Sequence, residues 1–570
     1  MKDIPRTQYA VQLVGPDELV LNKHKEVFRP GPRQILCRVE TVGLCFSDLK
    51  LLKQFSSHVR KGEVVAGLEA SVLADIPSYV PGDRPTVPGH ETVVRIAAVG
   101  GEVKGFSVGQ RYLVQTDYRW LKTAARSNAA FGYNFEGALQ EYVLVDERVV
   151  TSPEGESMFL PVGEELSGSA VALVEPWACV EDAYASTERT CIKEGGRMLV
   201  VAEADVEDDA IAYLMDLYGK PATMAWINLA TTRQGDSASG SRAGRPRQTP
   251  GVQMVEAVAV GQLDDAAFDD VVYFGSNPAT VESLFAKVGT NGLLNICLCG
   301  GRFGRKVSTM IGRVHYGGIR IIGTCGSSPA DAMEIIPPTD EIRPGDKICV
   351  VGAGGPMGMM HVIRNICQGV EGLSVYAGDV DDGRLEALSR IAAPAAIRNN
   401  VEYIAYDAQT DRPPVKFDYI AIMAPVPALV AAAVGDGAER GLINIFAGIP
   451  ATVCGEIDLD AYIEKGLYFI GTSGSTLDDM KLMLGKVQTG TLDTNVSVAA
   501  VSGLDGAVEG IRAVESRSIA GKIVVYPACK GLGLTRLEEL RTKIPQVAGE
   551  LDDGLWTVEA ERKLLELYAK

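Results

Sequence analysis

The order of apolar and polar positions divides the chain into two regimes. From about residue 190 to 495, short runs rich in Val, Ile and Leu alternate with longer stretches of helical period, a pattern that predicts βαβ units on parallel sheets. Met198–Val201, Val271–Phe274 and Leu293–Leu298 are such runs. The most apolar stretch, Tyr419 to Val434, contains Pro425 and Pro427 and is too short to span a bilayer, so it reads as a buried strand entering a helix. Residues 1 to about 185 are instead dominated by short strand patterns broken by turns such as Pro30-Gly31-Pro32 and Pro81-Gly82-Asp83, as a β-rich domain requires.

The alternating region repeats itself. Gly318-Ile-Arg-Ile-Ile-Gly-Thr-Cys-Gly-Ser-Ser328 aligns with Gly466-Leu-Tyr-Phe-Ile-Gly-Thr-Ser-Gly-Ser-Thr476, 148 residues on. Asp270 to Tyr273 aligns with Asp418 to Ala421 at the same offset, Gly292 to Ile296 with Gly441 to Ile445 at 149, and Gly195 to Val201 with Gly345 to Val351 at 150. The expected fold is therefore α/β with a β-rich domain: two tandem Rossmann-like, doubly wound domains near 186–340 and 341–495, with 1–185 before them.

The two copies differ where a ligand would sit. In the second, the run Lys347–Val351 leads into Gly352-Ala-Gly354-Gly355-Pro356-Met357-Gly358 and then a helical stretch, which lets backbone N–H groups approach a pyrophosphate at a helix N-terminus. The next run ends at Asp379, placed to accept from the ribose hydroxyls and to disfavour a 2′-phosphate, so NAD is expected over NADP. Arg384 falls within the same cofactor group, and Ala447, Gly448, Thr472 and Ser473, which follow later apolar runs, are expected near the nicotinamide half. In the first copy the corresponding loop carries Glu203, Asp205, Glu207, Asp208 and Asp209 and no glycine; like charges crowded there predict rejection of a dinucleotide. Thr231–Pro250, polar and rich in Gly and Ser, is expected to be a mobile surface loop.

In the N-terminal region lie Gly43-Leu-Cys45-Phe-Ser47-Asp48, Pro88-Gly-His90-Glu91, Gly137-Ala-Leu-Gln-Glu-Tyr142 and Val174-Glu175-Pro-Trp-Ala-Cys179. In this order, ahead of a dinucleotide motif, they resemble the zinc-dependent medium-chain dehydrogenases, especially the polyol dehydrogenases. Gly109 to Gln115, Gly354 to Gly358, Gly471 to Gly474 with Asp478 to Met480, and the tail from Gly521 to Trp556 extend the resemblance to the sorbose-1-phosphate reductases. The resemblance implies a GroES-like catalytic domain over 1–185, completed by 496–530, with 531–570 a helical tail, 186–340 an addition, and zinc facing nicotinamide in a cleft. Chemically, the Cys45 thiolate, the His90 imidazole and a carboxylate supply three protein ligands and leave a fourth position for substrate or water, as catalytic zinc requires. The family implies that Glu91 or Glu175 is that carboxylate, that Asp48 orients His90, and that Ser47 passes the alcohol proton outward. No cysteine lies between Cys45 and Cys179, so a second, structural zinc is not expected. His361 is expected to be a packing residue and His58 a surface one.

Composition narrows the partners. A length of 570 residues suits three or four domains, and 46% apolar with 22% charged residues excludes wholesale disorder. The net charge of −18 repels phosphate backbones and anionic bilayers, so neither nucleic acid nor a membrane is an expected partner. Eleven cysteines scattered without short-range pairing fit a reducing compartment, and with no apolar run after the basic start no export signal is visible, so a cytoplasmic location is expected. The sequence thus predicts one catalytic Zn²⁺, NAD, a small polyol or sugar-phosphate substrate and a homo-oligomer. The competing expectation is a non-enzymatic NAD-binding sensor or scaffold with a relict metal site.

Overall fold

The computed structural model describes residues 4–204, 206, 209–229, 250–255, 259–472 and 474–569. They form two compact units, one of residues 1–178 with 475–570 and one of 179–474. Among the described residues no helix is long and apolar enough to cross a membrane. All eleven cysteines are free thiols.

The first unit is built on an eight-stranded sheet. Its backbone runs Phe159–Pro161, Arg111–Val114, Glu91–Val99, Gln34–Gly43, Lys522–Val525, Val498–Ser502 and Thr535–Arg536, with Tyr142–Asp146 also paired to Gln34–Gly43. Strands far apart in the chain thus lie side by side: Val524 pairs with Gly43 and Gly43 with Glu91. The chain re-enters this unit at 475, earlier than 496, because the helix Leu477–Gln488 already belongs to it. The tail packs into the same unit and ends in a helix over Val558–Tyr568. Glu561, 6% exposed, accepts from the N–H groups of Gly168 and Ser169 and from the Tyr526 hydroxyl (2.9 Å), while Trp556 Nε1 donates to Ser169 Oγ (3.2 Å). Removing that carboxylate strands three buried donors. Glu561→Ala is expected to cost about 3 kcal/mol and Glu561→Gln less, measured as a fall in the urea midpoint by intrinsic fluorescence.

The second unit holds two six-stranded parallel sheets of identical order. In the first the strands lie side by side as Gln253–Val255, Thr223–Asn228, Arg197–Ala202, Phe268–Phe274, Val288–Cys297 and Arg320–Thr324. The second runs Glu402–Asp407, Ser374–Asp379, Lys347–Val351, Phe417–Ile422, Gly437–Asn444 and Tyr468–Ile470. Each has the strand order 3-2-1-4-5-6 of a doubly wound nucleotide fold. The sequence suggests two domains meeting near 340, but one hydrophobic core runs through both: Leu294, Ile296, Ile311 and Ile321 of the first copy are buried with Ile443, Ile457, Tyr462 and Phe469 of the second.

The two copies join through a short antiparallel pair, Val307 to Ile457, Ser308 to Glu456 and Thr309 to Gly455. At the repeat offset of 148, residues 307–309 correspond to 455–457, so exchanging the copies maps this pairing onto itself. Such a contact is isologous, the type made by two identical subunits about a two-fold axis, here built within one chain.

Candidate functional site

Cys45 caps the helix Phe46–Gln54 in an extended conformation (φ −120°, ψ 150°), and Asp48 stands at the third helical position. From there Asp48, 1% exposed, accepts the Cys45 N–H through Oδ2 (3.3 Å) and faces His90 Nδ1 through Oδ1 (3.1 Å). One carboxylate therefore holds the backbone of the cysteine and the ring of the histidine, and the His90 Nε2 is left for another partner. His90 follows Gly89, whose φ of 95° and contacts to Leu139 and Val42 exclude a side chain. Ser47 Oγ lies 3.1 Å from Cys45 Sγ and 3.0 Å from His90 Nε2, bridging the two atoms that would bind an ion.

Glu91 opens the strand after His90 and is fully buried. Its Oε1 accepts from Lys522 Nζ (2.6 Å), while Oε2 is buried with no hydrogen-bond partner. Gly43 opposite makes the space, since a Cβ there would lie 2.2 Å from Glu91 Oε2. Cys45, His90 and Glu91 each offer a ligand atom, all within 4.8 Å of one another. Glu175 is buried beside them; burial first, then Glu91 and Asp48 against His90 and Lys522, push its carboxyl up to about 7. Burial alone would lower the pKa of His90, but the Asp48 carboxylate and Cys45 raise it well above the ordinary value. A buried field of this sign favours a cation, and the soft thiolate, imidazole and carboxylate set with one orphaned oxygen fits zinc.

Lys522 escaped the sequence reading. Its one signal was a lysine at the head of the otherwise apolar run Lys-Ile-Val-Val. His58 also differs from expectation: it is 9% exposed, its ring 5.1 Å from that of Tyr133, and burial with the Arg60 and Lys50 charges lowers it to about 4. Tyr133 in turn lies 6.1 Å from the His90 ring, and the Arg60 guanidinium sits over its face at 5.8 Å.

In the second unit, Gly352 adopts φ 87° after the strand Lys347–Val351, Gly355 caps the helix Pro356–Cys367, and Pro356 takes its first turn, where a missing N–H costs nothing. Gly354 and Gly358 leave no room for side chains: a Cβ would meet Arg384 Cβ at 2.5 Å and Gly352 O at 2.2 Å, respectively. Met357 follows Pro356 in the same turn. Asp379 ends the strand Ser374–Asp379; its carboxylate accepts from Gly354 N–H (2.8 Å), Val380 N–H (2.8 Å) and Asp381 N–H (3.2 Å). Arg384 pairs with Asp381 (3.6 Å) at the start of the following helix. Ala447 is buried, Gly448 is adjacent, and the Thr472 hydroxyl is buried without a partner. Ser473 lies outside the described residues. The glycine cradle fits a dinucleotide, and the orphaned Thr472 hydroxyl after the strand Tyr468–Ile470 is a further group without a partner.

The first copy fills its own crevice. Glu203 accepts from Tyr273 Oη (2.7 Å), Asn277 Nδ2 (2.9 Å) and Thr280 Oγ1 (3.0 Å), so a carboxylate and its three donors occupy the ground above the strand Arg197–Ala202. Asp205, Glu207 and Asp208 lie outside the described residues, as does Thr231–Pro250 except for Pro250. His361 is fully buried and pairs through Nδ1 with the Tyr184 hydroxyl (2.7 Å), a packing residue.

The alcohol dehydrogenase GroES-like domain family matches residues 31–154. The chain is 24% identical over 359 residues to a mannitol-1-phosphate 5-dehydrogenase of Aliivibrio fischeri, covering 59% of this chain and 82% of that one. It is 26% identical over 234 residues to an L-sorbose 1-phosphate reductase of Klebsiella pneumoniae, covering 39% and 56%. A further Escherichia coli (strain K12) relative, 27% identical, is spanned over only 58% of its length. The crystal structure of 2R,3R-butanediol dehydrogenase from Bacillus subtilis shares the fold, with a TM-score of 0.50 at 15% identity over 91% of this chain and all of that one. These matches support the medium-chain dehydrogenase superfamily for this chain.

Proposed function

We propose that the protein is a zinc- and NAD-dependent oxidoreductase that moves hydride between NAD(H) and a polyol, sugar or ketose phosphate. The observation that carries this reading is the group of partly buried Cys45 with buried His90 and Glu91, held from one side by Asp48 and from the other by Lys522. Cys45 and His90 hold the metal with Glu91 or Glu175, and the Gly352–Gly358 cradle with Asp379, Arg384, Ala447, Gly448, Thr472 and Ser473 holds NAD. When bound, zinc would draw the pKa of a substrate alcohol towards neutrality and NAD would take the hydride. Ser47 Oγ, already among the ligand atoms, is the group that takes the alcohol proton outward. Asp48 keeps the His90 proton on Nδ1, so that Nε2 stays a ligand.

Support for a phosphate on the substrate comes from Arg60. Its guanidinium covers Tyr133, which borders His90, and it shares the Asp117 carboxylate (3.5 Å) with Arg119 (3.2 Å) while Asn128 also donates to both Asp117 oxygens (3.0 Å). Two guanidinium groups on one carboxylate leave a positive charge in an acidic protein, and arginine is well shaped for phosphate. The test is zinc content together with turnover on matched phosphorylated and plain polyols. Arg60→Ala is expected to raise KM for phosphorylated substrates about 10- to 100-fold and to leave plain polyols nearly unchanged, the loss of one charge-assisted contact. NADH binding without turnover on any polyol or its phosphate would favour the sensor reading.

A further inference from the structure

We propose that the first Rossmann copy serves as a built-in partner subunit whose His315 and Tyr316 position the nicotinamide-side loop of the second copy. This rests on the reading of the second copy as the NAD site. An isologous contact places equivalent elements of each copy against the other: the helix Gly312–Gly317 lies beside the strand Tyr468–Ile470, and the helix Leu459–Glu464 beside Arg320–Thr324. At each site a glycine lets backbones converge. A Cβ on Gly471 would lie 3.0 Å from His315 Cα and 3.1 Å from Ile445 O, and a Cβ on its counterpart Gly323 would lie 2.7 Å from Ile463 Cγ1 and 2.9 Å from Ile296 O.

The symmetry breaks in the side chains. At the repeat offset of 148, His315 and Tyr316 correspond to Ile463 and Glu464. His315, 9% exposed, donates Nδ1–H to the Ile445 carbonyl (3.1 Å), the residue directly before Phe446-Ala447-Gly448. Tyr316 stands edge-on to His315, ring centroids 4.5 Å apart, and its hydroxyl would lie 2.7 Å from a Cβ on Gly448. Opposite, Ile463 has no donor for Ile296, and Glu464 turns to an ion pair with Arg302. The polar pair is thus present only on the side facing the copy that keeps its glycine loop. A carbonyl fixed at the root of a loop fixes where the loop ends, and small misplacements near a reacting ring are costly. The same arrangement explains why a copy with a filled crevice keeps an intact core: the loop of its neighbour leans on it.

The test uses the full-length protein and binding rather than turnover. His315→Phe keeps ring volume and removes the donor; Tyr316→Ala changes a side chain that is 42% exposed and spares the fold. Each is expected to weaken NADH about tenfold by fluorescence titration, the worth of one hydrogen bond, while ADP-ribose, which lacks the nicotinamide, binds as in the unaltered protein. His315→Asn, whose amide N–H can donate from nearly the same place, should restore NADH affinity. Gly448→Ala, which displaces the Tyr316 hydroxyl, should resemble Tyr316→Ala, and the double variant should be no worse than either alone. Unchanged NADH affinity in His315→Phe and Tyr316→Ala, or an equal loss for ADP-ribose, overturns the proposal. Absence of NADH binding by the unaltered protein would instead overturn the NAD reading beneath it.

Discussion

Cys45→Ser and His90→Ala are each expected to leave a folded protein with little zinc and at least about a thousandfold less activity. Three protein ligands leave one position open in a tetrahedral catalytic site, and removing one of three leaves too few to retain the ion at ordinary concentrations. The rate follows, because several kcal/mol of charge stabilisation go with the ion and each 1.4 kcal/mol is a factor of ten. The fold should persist: Cys45 is only partly buried at the head of a helix, and the sheet beneath is closed by pairings of the Gln34–Gly43, Glu91–Val99 and Lys522–Val525 strands. Asp48→Asn gives the graded control. It keeps the shape but weakens the hold on His90, so zinc affinity should fall about 10- to 100-fold, the range for an outer partner of a metal ligand. Metal analysis after dialysis checks all three, and full zinc occupancy in Cys45→Ser or His90→Ala would remove those residues from the site.

The parts of this molecule legible in the sequence are those written locally. Lys347–Val351 followed by Gly352-Ala-Gly354 declares strand, tight turn and helix within a dozen residues, and the repeat offset carries the second sheet along with the first. Cys45, Ser47 and Asp48 lie within one helical turn, and His90 with Glu91 share one strand entry, so their types and spacing expose the chemistry. What stayed hidden depends on pairing at long range. Lys522 meets Glu91 only because two strands more than four hundred residues apart flank Gln34–Gly43, and nothing local announces that neighbour. The shared core of the two Rossmann copies is likewise invisible to periodicity, which reports that a face is apolar but not what covers it. Glu203 shows the same limit in reverse: its charge is plain in the sequence, but its use, accepting from Tyr273, Asn277 and Thr280, follows from residues 70 to 77 positions downstream, on the neighbouring strand Phe268–Phe274 and just after it. His58, a polar residue outside any motif, was placed at the surface because the Tyr133 ring that buries it is 75 residues downstream (133 − 58).

Titration with NADH is expected to give one site per chain, and Gly354→Asp to abolish it. In the proposed cofactor cradle Gly354 is where backbone would come closest to a pyrophosphate, and it has no slack: a Cβ would already press on Arg384 Cβ at 2.5 Å and on Asp379 Oδ2 at 3.1 Å. An aspartate there adds bulk and places a second carboxylate beside Asp379, where repulsion of several kcal/mol falls on the ground a diphosphate needs. The Gly354 N–H that now binds Asp379 is also the kind of donor a phosphate oxygen uses, so the substitution removes the cradle and the charge balance together. The first copy should contribute nothing to the titration, since the Glu203 cluster stands where its cradle would be. Asp379 should hold the choice of cofactor to NAD, because a carboxylate accepts from ribose hydroxyls and opposes a 2′-phosphate. A stoichiometry of two, or tighter binding of NADPH than of NADH, would mean that charge and cradle have been assigned to the wrong copy or the wrong residue. Cys45, His90 and Glu91, the proposed zinc ligands, belong to the other compact unit, so Gly354→Asp should keep its metal while losing its cofactor, and that separation tells a local lesion from an unfolded protein.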